Sequence, residues 1–459
     1  MSREETLFGA ILSSIRGETP AVPEPAWREE EFFCAILRSA QGEKPAIPAP
    51  VWRREEYLAA IAKTLQENQP VPTKDVNFFD YDGTLVASYT AAEFAELDAM
   101  PRNPIRKGLV AQGWNWTLAD AKTHVAKYGR LIVGQQYITA DGKTHLYIRL
   151  RQGRTAPYLG LGVNGSAVVD WGDGSDTTTL TGSSLSTIVY TSQHEYPAPG
   201  DYEITIAVTG EAAILGVTSN ASALLSKKAD LTQQNVPYTS AVRAVELGEN
   251  MKLGAYAFHS CLDLLSISLP NTLTSIPERA FYLCNHLRFV CVPSGVTSLG
   301  ALCLSNMVCL LWVSIPKSVT TIGDTTFAYS YSIYELTIPE GITAIPKEFV
   351  NGVMGMERIN VPDGVTSIGN TAFASARGVT ELHIPASVTS IGTKGFADAA
   401  SLAAIHFHSN TPPALGGSNA FDKVPADCKI YVPAGKLTAY TSAANYPSSG
   451  TYTYVEEDA

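Results

Sequence analysis

The chain has 459 residues, of which 45% are hydrophobic and 17% charged, and its formal net charge at pH 7 is -11. This composition is typical of a globular protein with a large core and excludes a largely disordered chain. The acidic balance excludes a nucleic-acid partner, because phosphate binding needs a clustered basic face, which the sequence lacks. No run of eighteen apolar residues occurs, so we expect no membrane insertion.

Residues 1–73 contain a repeat of about 25 residues. The first copy is EETLFGAILSSIRGETPAVPEPAWR, the second is EEEFFCAILRSAQGEKPAIPAPVWR, and a shorter third follows. Each pairs a short amphipathic helix with a proline-rich spacer, and such short helices are marginal alone in water. We therefore expect docking or oligomerisation, with a flexible tether as the alternative. Glu4 and Glu5 stand where a secretory signal carries positive charge, so export by the general pathway is not expected.

Residues 74–144 are expected to form a small α+β module. Helical periodicity occurs in AAEFAELDAMP and in TLADAKTHVAKYG, whose N-cap is Thr117. Strand patterns occur in RLIVGQQYIT and THLYIRLRQ, which are joined at an Asp141-Gly142 turn. Trp114 and Trp116 directly precede the second helix, where tryptophans serve as core anchors or, alternatively, as a sugar platform.

The module begins with VNFFDYDGTLV, in which two aspartates precede Gly-Thr. This pattern resembles the nucleophile motif of the haloacid dehalogenases, which implies Asp80 as phosphoryl acceptor and Asp82 as general acid. About seventy residues follow before the next domain, too few for the doubly wound sheet of that superfamily. The alternative is a tight turn at Asp82-Gly83 between two short strands.

The stretch from FFDYDGTLVASYTAAEF to GWNWTLADAKTHVAKYGRLIVGQQYIT resembles a module of prophage structural proteins of gut Firmicutes. Residues 145–212 then switch to short strands with glycine turns. The segments AVVDWGDGSDTTTL and HEYPAPGDYEITIAVTG resemble a PKD domain, which implies an immunoglobulin-like β-sandwich of extracellular proteins. Asp173-Gly174 suits a tight hairpin, and calcium at Asp170 and Asp173 is the functional alternative. Residues 213–241 are polar and are expected to be a linker.

Residues 242–408 carry a strict repeat of 23 residues, most visible in Pro270, Pro293, Pro316, Pro339, Pro362 and Pro385. A fixed period in this range is typical of a solenoid, whose coils bury their apolar faces only by stacking. Apolar residues alternate before each proline and predict a short strand with one buried face. Further apolar ladders follow the proline, and an aromatic residue closes several coils.

The segments SISLPNTLTSIPERAFYLC and INVPDGVTSIGNTAFASA resemble leucine-rich repeats of the BspA-like type. This resemblance implies a solenoid that works outside the cell. Residues 409–459 resemble the closing segment of such solenoids and are expected to cap the last coil. Of the seven cysteines, Cys261 and Cys284 lie one period apart and are expected to be buried, whereas Cys291 is expected to face outward.

The outward column of the solenoid strands is the candidate binding surface. It combines an aromatic pair with a charged run: Phe289, Trp312, Glu335, Arg358 and Glu381. An exposed Trp beside an exposed Phe is typical of a binding hot spot, and the alternative is a cross-strand contact that only covers the sheet. His383 and His406 are one period apart and are expected to stack, as part of a solvated face or, alternatively, as a metal pair.

The sequence shows no catalytic constellation, so we expect no enzyme activity, no metal and no cofactor. The expected fold class is multidomain α+β, with helical repeats, a small α+β module, a β-sandwich and a leucine-rich repeat solenoid. The leading hypothesis is a phage or prophage tail protein on the virion that binds a host-surface glycan or protein. Its N-terminal helices would dock to other tail proteins or to a second copy. The alternative is a bacterial surface adhesin exported by an unconventional route.

Overall fold

The computed structural model describes residues 74–217, 221–222, 224–226, 238 and 240–457. The helical repeats expected in residues 1–73 lie outside this part of the chain. In the described part, no helix has the length and hydropathy needed to cross a membrane. The structure is mostly β, with few helices, and it ends in a long solenoid.

Residues 74–139 form a four-stranded sheet with two helices, and we call this unit the N-terminal module. Its strands are β1 (Val76–Phe79), β2 (Leu85–Tyr89), β3 (Leu109–Trp114) and β4 (Leu131–Thr139), in the order β2-β1-β4-β3. Strand β1 pairs in parallel with β4, and the other pairs are antiparallel. The helices are α1 (Ala91–Ala95) and α2 (Leu118–Tyr128).

Local sequence explains where these two helices begin and end. The hydroxyl of Thr90 accepts a hydrogen bond from Glu93 N, and the Glu93 carboxylate accepts one from Thr90 N, which is a capping box. Thr117 caps α2 as predicted, by accepting from Asp120 N. Helix α2 ends at Gly129, whose φ of 79° suits a residue without a side chain.

The next strands form one sheet that continues into the solenoid. They are β5 (Thr144–Leu150), β6 (Tyr158–Asp170), β7 (Thr178–Tyr190), β8 (Gly200–Ile214), β9 (Gly216–Val217), β10 (Ala221–Ser222), β11 (Leu225–Ser226), β12 (Val242–Glu246), β13 (Met251–Leu253) and β14 (Ser266–Ser268). The sheet order is β11-β6-β8-β5-β12-β14, with β7 on β6 and β13 on β8, while β9 and β10 pair with each other.

This topology does not confirm a self-contained sandwich over residues 145–212. Strand β12 is antiparallel to β5 on one side and parallel to β14, in the solenoid, on the other. The strands predicted on either side of Asp141-Gly142 exist, but β4 and β5 belong to different sheets. The described residues of the expected linker also contribute to the common core, since Leu224 and Leu225 are fully buried.

Each coil of the solenoid contributes two short strands. The first row is β14, β16 (Phe289–Cys291), β18 (Trp312–Ser314), β20 (Glu335–Leu336), β22 (Arg358–Asn360), β24 (Glu381–Ile384) and β26 (Ala404–Phe407), extended by β28 (Lys429–Pro433) and β29 (Thr453–Glu457). The second row is β15 (Ser275–Ile276), β17 (Ser298–Leu299), β19 (Thr321–Ile322), β21 (Ala344–Ile345), β23 (Ser367–Ile368), β25 (Ser390–Ile391) and β27 (Ala414–Leu415). Neighbouring strands in each row are parallel where they pair.

The predicted apolar ladders are confirmed as the solenoid core. Their members are fully or almost fully buried, including the ladder Leu264, Leu287, Leu310, Ile333, Met356 and Val379 and the ring ladder Phe258, Phe281, Phe327, Phe373 and Phe396. Cys261 and Cys284 are buried as expected. After the last coil, helix α3 (Leu437–Thr441) places Tyr440 against Phe407, so the end of the core is covered.

Seven successive coils each have two positions with positive φ, and thirteen of these fourteen residues carry a side chain. The first set is Tyr256, Arg279, Leu302, Thr325, Glu348, Thr371 and Lys394, and the second is Ser260, Leu283, Asn306, Tyr329, Gly352, Ser375 and Asp398. This backbone conformation costs about 1–2 kcal/mol for a residue with a side chain. Hydrogen bonds between successive coils, such as Arg279 N to Ala301 O at 2.9 Å, offset this cost.

Candidate functional site

The N-terminal module lies on the strand face of the solenoid. Phe79 of β1 stacks on the Trp312 ring with a centroid distance of 5.7 Å and lies 5.4 Å from the Phe289 ring. These rings, with Ile132, form a separate apolar cluster between module and solenoid. Phe289 is 1% exposed and Trp312 5% exposed. The expectation that these two residues form an exposed binding pair is therefore wrong, because another part of the same chain covers them.

Polar contacts fix the orientation of the module on this face. The Asn115 amide donates to Val292 O and Ser314 O, at 2.9 and 3.2 Å, and its oxygen accepts from Gly134 N. Each of these groups is buried, and a buried polar group without a partner is costly. The interface is therefore specific in geometry as well as apolar.

Backbone and side chain come unusually close at Gly134 in β4. A Cβ atom added there would lie 2.4 Å from the Cys291 sulfur, which no real side chain tolerates without a shift. Cys291 is 6% exposed, and its burial raises the pKa of the thiol above its ordinary value. The expectation that Cys291 faces solvent is wrong for the same reason as for Trp312.

The motif around Asp80 forms a turn between β1 and β2. Asp80 is fully buried, and its Oδ2 accepts a hydrogen bond from Arg106 Nε at 2.7 Å. Gly83 N donates to Asp80 O, and Thr84 N donates to the Asp82 carboxylate. The tight-turn interpretation is confirmed, and the Asp80 carboxylate is held by an arginine rather than presented to solvent.

The other tryptophans and the Asp-Gly turns have structural roles. Trp114 and Trp116 are 8% and 5% exposed and belong to the module core, which confirms them as core anchors. Gly174 has the predicted positive φ, 81°, but it lies in a seven-residue connection between β6 and β7 rather than in a tight hairpin. The Asp173 carboxylate lies 2.8 Å from His194 Nε2, and that ring stacks on Trp171.

Beyond Trp312, the strand face emerges from under the module and borders a cleft of about 260 Å³. The solenoid side of the cleft carries Glu335 and Arg358, and the module side carries Asp75, His124 and Arg130. An ion pair from Lys127 in α2 to Asp363, at 2.6 Å, bridges the module and the solenoid. The cleft is thus a concave site with charged groups of both signs.

The charged groups of the cleft have altered proton affinities. Burial raises the pKa of Glu335 to about 7, with Arg130 opposing the shift and Asp75 adding to it. At neutral pH this carboxyl can therefore donate or accept a hydrogen bond. Burial lowers the pKa of His124 to about 4, so the ring is neutral. Its Nδ1 is buried and has no hydrogen-bond partner among the described residues.

Further along the same face, Glu381 contacts two stacked histidines. Strand pairing sets His383 beside His406, and their ring centroids are 4.4 Å apart, as the 23-residue spacing predicts. Glu381 Oε1 lies 3.2 Å from His383 Nε2 and 3.1 Å from His406 Nε2. We call Glu381, His383 and His406 the histidine cluster. Burial and the neighbouring histidines lower the pKa of His383, which favours its neutral form.

Of the five predicted binding residues, two are covered by the module and three lie outside the covered area. Phe289 and Trp312 lie under the module, Glu335 and Arg358 line the cleft, and Glu381 belongs to the histidine cluster. Sequence reasoning missed the module residues Asp75, His124 and Arg130, since nothing in their local pattern points to the solenoid. It also missed Glu457, whose carboxylate lies 3.0 Å from His406 Nδ1.

Comparison with protein families identifies the repeats. Residues 251–380 and 366–446 match the family model described as BspA type Leucine rich repeat region, in six copies. The matched segments coincide with the coils, so the 23-residue units are leucine-rich repeats of this type. The match lies within the C-terminal part of the chain. Curated proteins show no significant similarity to this sequence.

Several solved structures are similar to the chain. One is a leucine-rich repeat protein from Bacteroides ovatus, with 16% identity over 63% of this chain and 75% of that protein and a TM-score of 0.37. Another is a leucine rich cell surface protein from Faecalibacterium prausnitzii, with 21% identity over 37% of this chain and 61% of that protein and a TM-score of 0.24. This chain thus spans less than two thirds of the latter protein. The pneumococcal vaccine antigen PcpA is 16% identical, with 46% and 67% covered and a TM-score of 0.29.

Proposed function

We propose that this protein is a non-enzymatic binding protein that recognises a cell-surface glycan or protein at the cleft beside the strand face. The observation that carries the proposal is the cleft itself, which brings Glu335, Arg358 and Arg130 to one concave site. Concave sites with a few converging polar groups are the usual form of ligand pockets. Arginine is also enriched among residues that dominate binding energy.

The cleft has groups that suit hydroxyl or amide ligands. Glu335 can donate or accept near neutral pH, and Arg358 and Arg130 each donate through a planar guanidinium fork. Glycan hydroxyls and peptide groups each combine a hydrogen-bond donor with an acceptor, and the cleft contains groups that can bond to both. The rest of the outward column, at Glu381, extends the polar surface beyond the cleft.

In the finer form of the proposal, the protein works on a bacteriophage or prophage tail. The resemblance of the module sequence to prophage structural proteins motivates this setting. The repeats in residues 1–73 would dock the chain to other tail proteins or to a second copy. Genes for tail, holin or lysin proteins beside this one are expected. A surface-protein locus without them would favour a bacterial adhesin instead.

The binding role is tested with labelled full-length protein on intact cells of gut Firmicutes and on their purified wall glycan. Arg358→Ala and Glu335→Gln are each expected to weaken binding at least tenfold, since truncation of a hot-spot residue costs about 2 kcal/mol or more. Lys423→Ala is the matched control, because Lys423 is an exposed cation paired with Asp398 outside the cleft. Equal binding by all three variants and the parent would overturn the role of the cleft.

A further inference from the structure

The geometry points to a zinc site at the histidine cluster, with Glu381, His383 and His406 as protein ligands. The inference is independent of the proposed binding function. Each ligand is placed by the solenoid: Glu381 and His383 stand two residues apart on one face of β24, and His406 is the neighbour of His383 on β26. Two adjacent coils therefore present three ligand groups on one side of the sheet.

The distances between the ligand atoms suit a tetrahedral metal. Zinc binds histidine nitrogen and carboxylate oxygen at about 2.0–2.2 Å, so two ligands of a tetrahedral site are about 3.3–3.6 Å apart. Glu381 Oε1 is 3.2 Å from one Nε2 and 3.1 Å from the other, and one ligand atom from each of the three residues lies within 4.8 Å of the others. The two imidazole planes are only 14° apart, so a metal ion that lies in the plane of both rings needs a rotation of the His383 ring, which is exposed and free to turn toward solvent.

Both ring nitrogens that face away from the cluster have partners. His406 Nδ1 lies 3.0 Å from a Glu457 oxygen, and His383 Nδ1 lies 3.1 Å from His408 Nε2. A carboxylate behind a histidine is the usual device that fixes the tautomer and ring orientation of a metal ligand. Tyr431 stacks on the His406 ring at 4.2 Å and fixes its plane. The cluster thus has an outer layer that a random pair of surface histidines lacks.

The chemistry of the ligands favours a transition metal over magnesium or calcium, and their exposure leaves the site accessible. Two imidazoles and one carboxylate suit zinc, whereas magnesium and calcium prefer oxygen alone. The side chains of His383 and Glu381 are 47% and 39% exposed, so an ion can enter from solvent. Three protein ligands leave one tetrahedral position for water or for a group of a partner. Through Glu457, the metal would also connect β24 and β26 with β29.

The test is titration of zinc chloride into tag-free full-length protein that has been dialysed against a chelator. We expect one zinc ion per chain in this site, with its binding lost in His383→Ala, His406→Ala and Glu381→Gln. His145→Ala is the matched control, because His145 also contacts two carboxylates, at 2.7 and 3.0 Å, but through its two different ring nitrogens, which cannot both bind one metal ion. The positioning variants His408→Ala and Glu457→Gln should bind zinc about 10- to 100-fold more weakly.

Cobalt provides a second readout of the same site. Cobalt bound here should give the intense visible absorption of a tetrahedral nitrogen and oxygen site without thiolate charge-transfer bands. Thermal midpoints measured without metal show whether each variant folds. Because His383 is exposed, His383→Ala is the variant whose stability should change least. The inference is overturned if zinc does not bind, if binding survives the ligand variants, or if it falls equally in His145→Ala. If the cluster is only a network of hydrogen bonds, zinc will not bind.

Discussion

Replacement of Trp312 by alanine is the most direct perturbation of the contact between module and solenoid. An aromatic side chain buries about 150–250 Å², which at about 25 cal/mol per Å² corresponds to about 4–6 kcal/mol. Measured tryptophan-to-alanine losses in cores are similar, at about 3–5 kcal/mol. Trp312 contacts Phe79 of the module and also Tyr334 of the solenoid, with centroids 5.2 Å apart for the latter. We therefore expect a loss of about 3–5 kcal/mol, divided between docking and coil stability.

Two measurements separate these contributions. Denaturant unfolding followed by circular dichroism gives the shift in midpoint, and hydrogen exchange of β1 and β4 reports whether the module still covers the face. The matched control is Arg358→Ala, which lies two coils along the same outward column and is exposed. A surface change of this kind should stay within about 0.5 kcal/mol of the parent protein.

A double-mutant cycle with Phe79→Ala isolates the contact of the two rings. The coupling energy should be about 0.5–1.5 kcal/mol, the usual range for an aromatic pair. If Trp312→Ala has the same denaturation midpoint as Arg358→Ala, and β1 keeps its protection from hydrogen exchange, then docking of the module does not depend on the Trp312 ring. That result would refute the claim that the module covers Trp312, and Trp312 would again be a candidate for ligand binding.

Two further predictions concern packing and pH. Gly134→Ala should separate the module from the solenoid, because the added Cβ would collide with Cys291, and hydrogen exchange of β1 and β4 measures this separation. Gly200→Ala is the control: its added Cβ lies 3.6 Å from the nearest neighbour, so its hydrogen exchange should match that of the parent protein. Burial acts to raise the pKa of Asp263, but a hydrogen bond with His286 and two arginines lower it below 3.8 overall. This stabilisation is present above the unfolded pKa and is lost as pH falls through the folded pKa. Asp263→Asn should therefore lower the unfolding midpoint at pH 7, and a difference that does not shrink below about pH 4 contradicts the assignment.

The sequence predicted the solenoid well because its period constrains every coil in the same way. Buried ladders such as Leu264 and Ile267 follow from alternation alone, and so does the stacking of His383 on His406. The period could not reveal what covers the outward column, since the occupant is encoded more than 150 residues earlier, around Phe79. A signal was nevertheless present. An outward Phe-Trp pair beside an outward cysteine is a contiguous apolar patch, and such patches are usually covered by a partner.

The candidate sites were predictable only where the repeat itself builds them. Arg358 and Glu381 fall on one face because their strands are in register. The cleft also needs Arg130, and the histidine cluster also has Glu457 beside it, and these two residues belong to segments outside the regular coils. The Asp80 motif shows the limit of short sequence patterns. It resembles a catalytic motif, but in the structure Asp80 is buried in a turn and accepts a hydrogen bond from Arg106.

The strict 23-residue period also makes coil number a variable that can change in whole units. The module packs on the coils of Phe289 and Trp312 and reaches Asp363, in the coil of Arg358, through Lys127, whereas the histidine cluster belongs to the next two coils. Insertion of one complete unit between the coils of Arg358 and Glu381 would preserve the register of every ladder. It would shift the histidine cluster by about 4.8 Å, one strand spacing, relative to the module. The length of the open face can therefore evolve without altering the contacts at either of its ends.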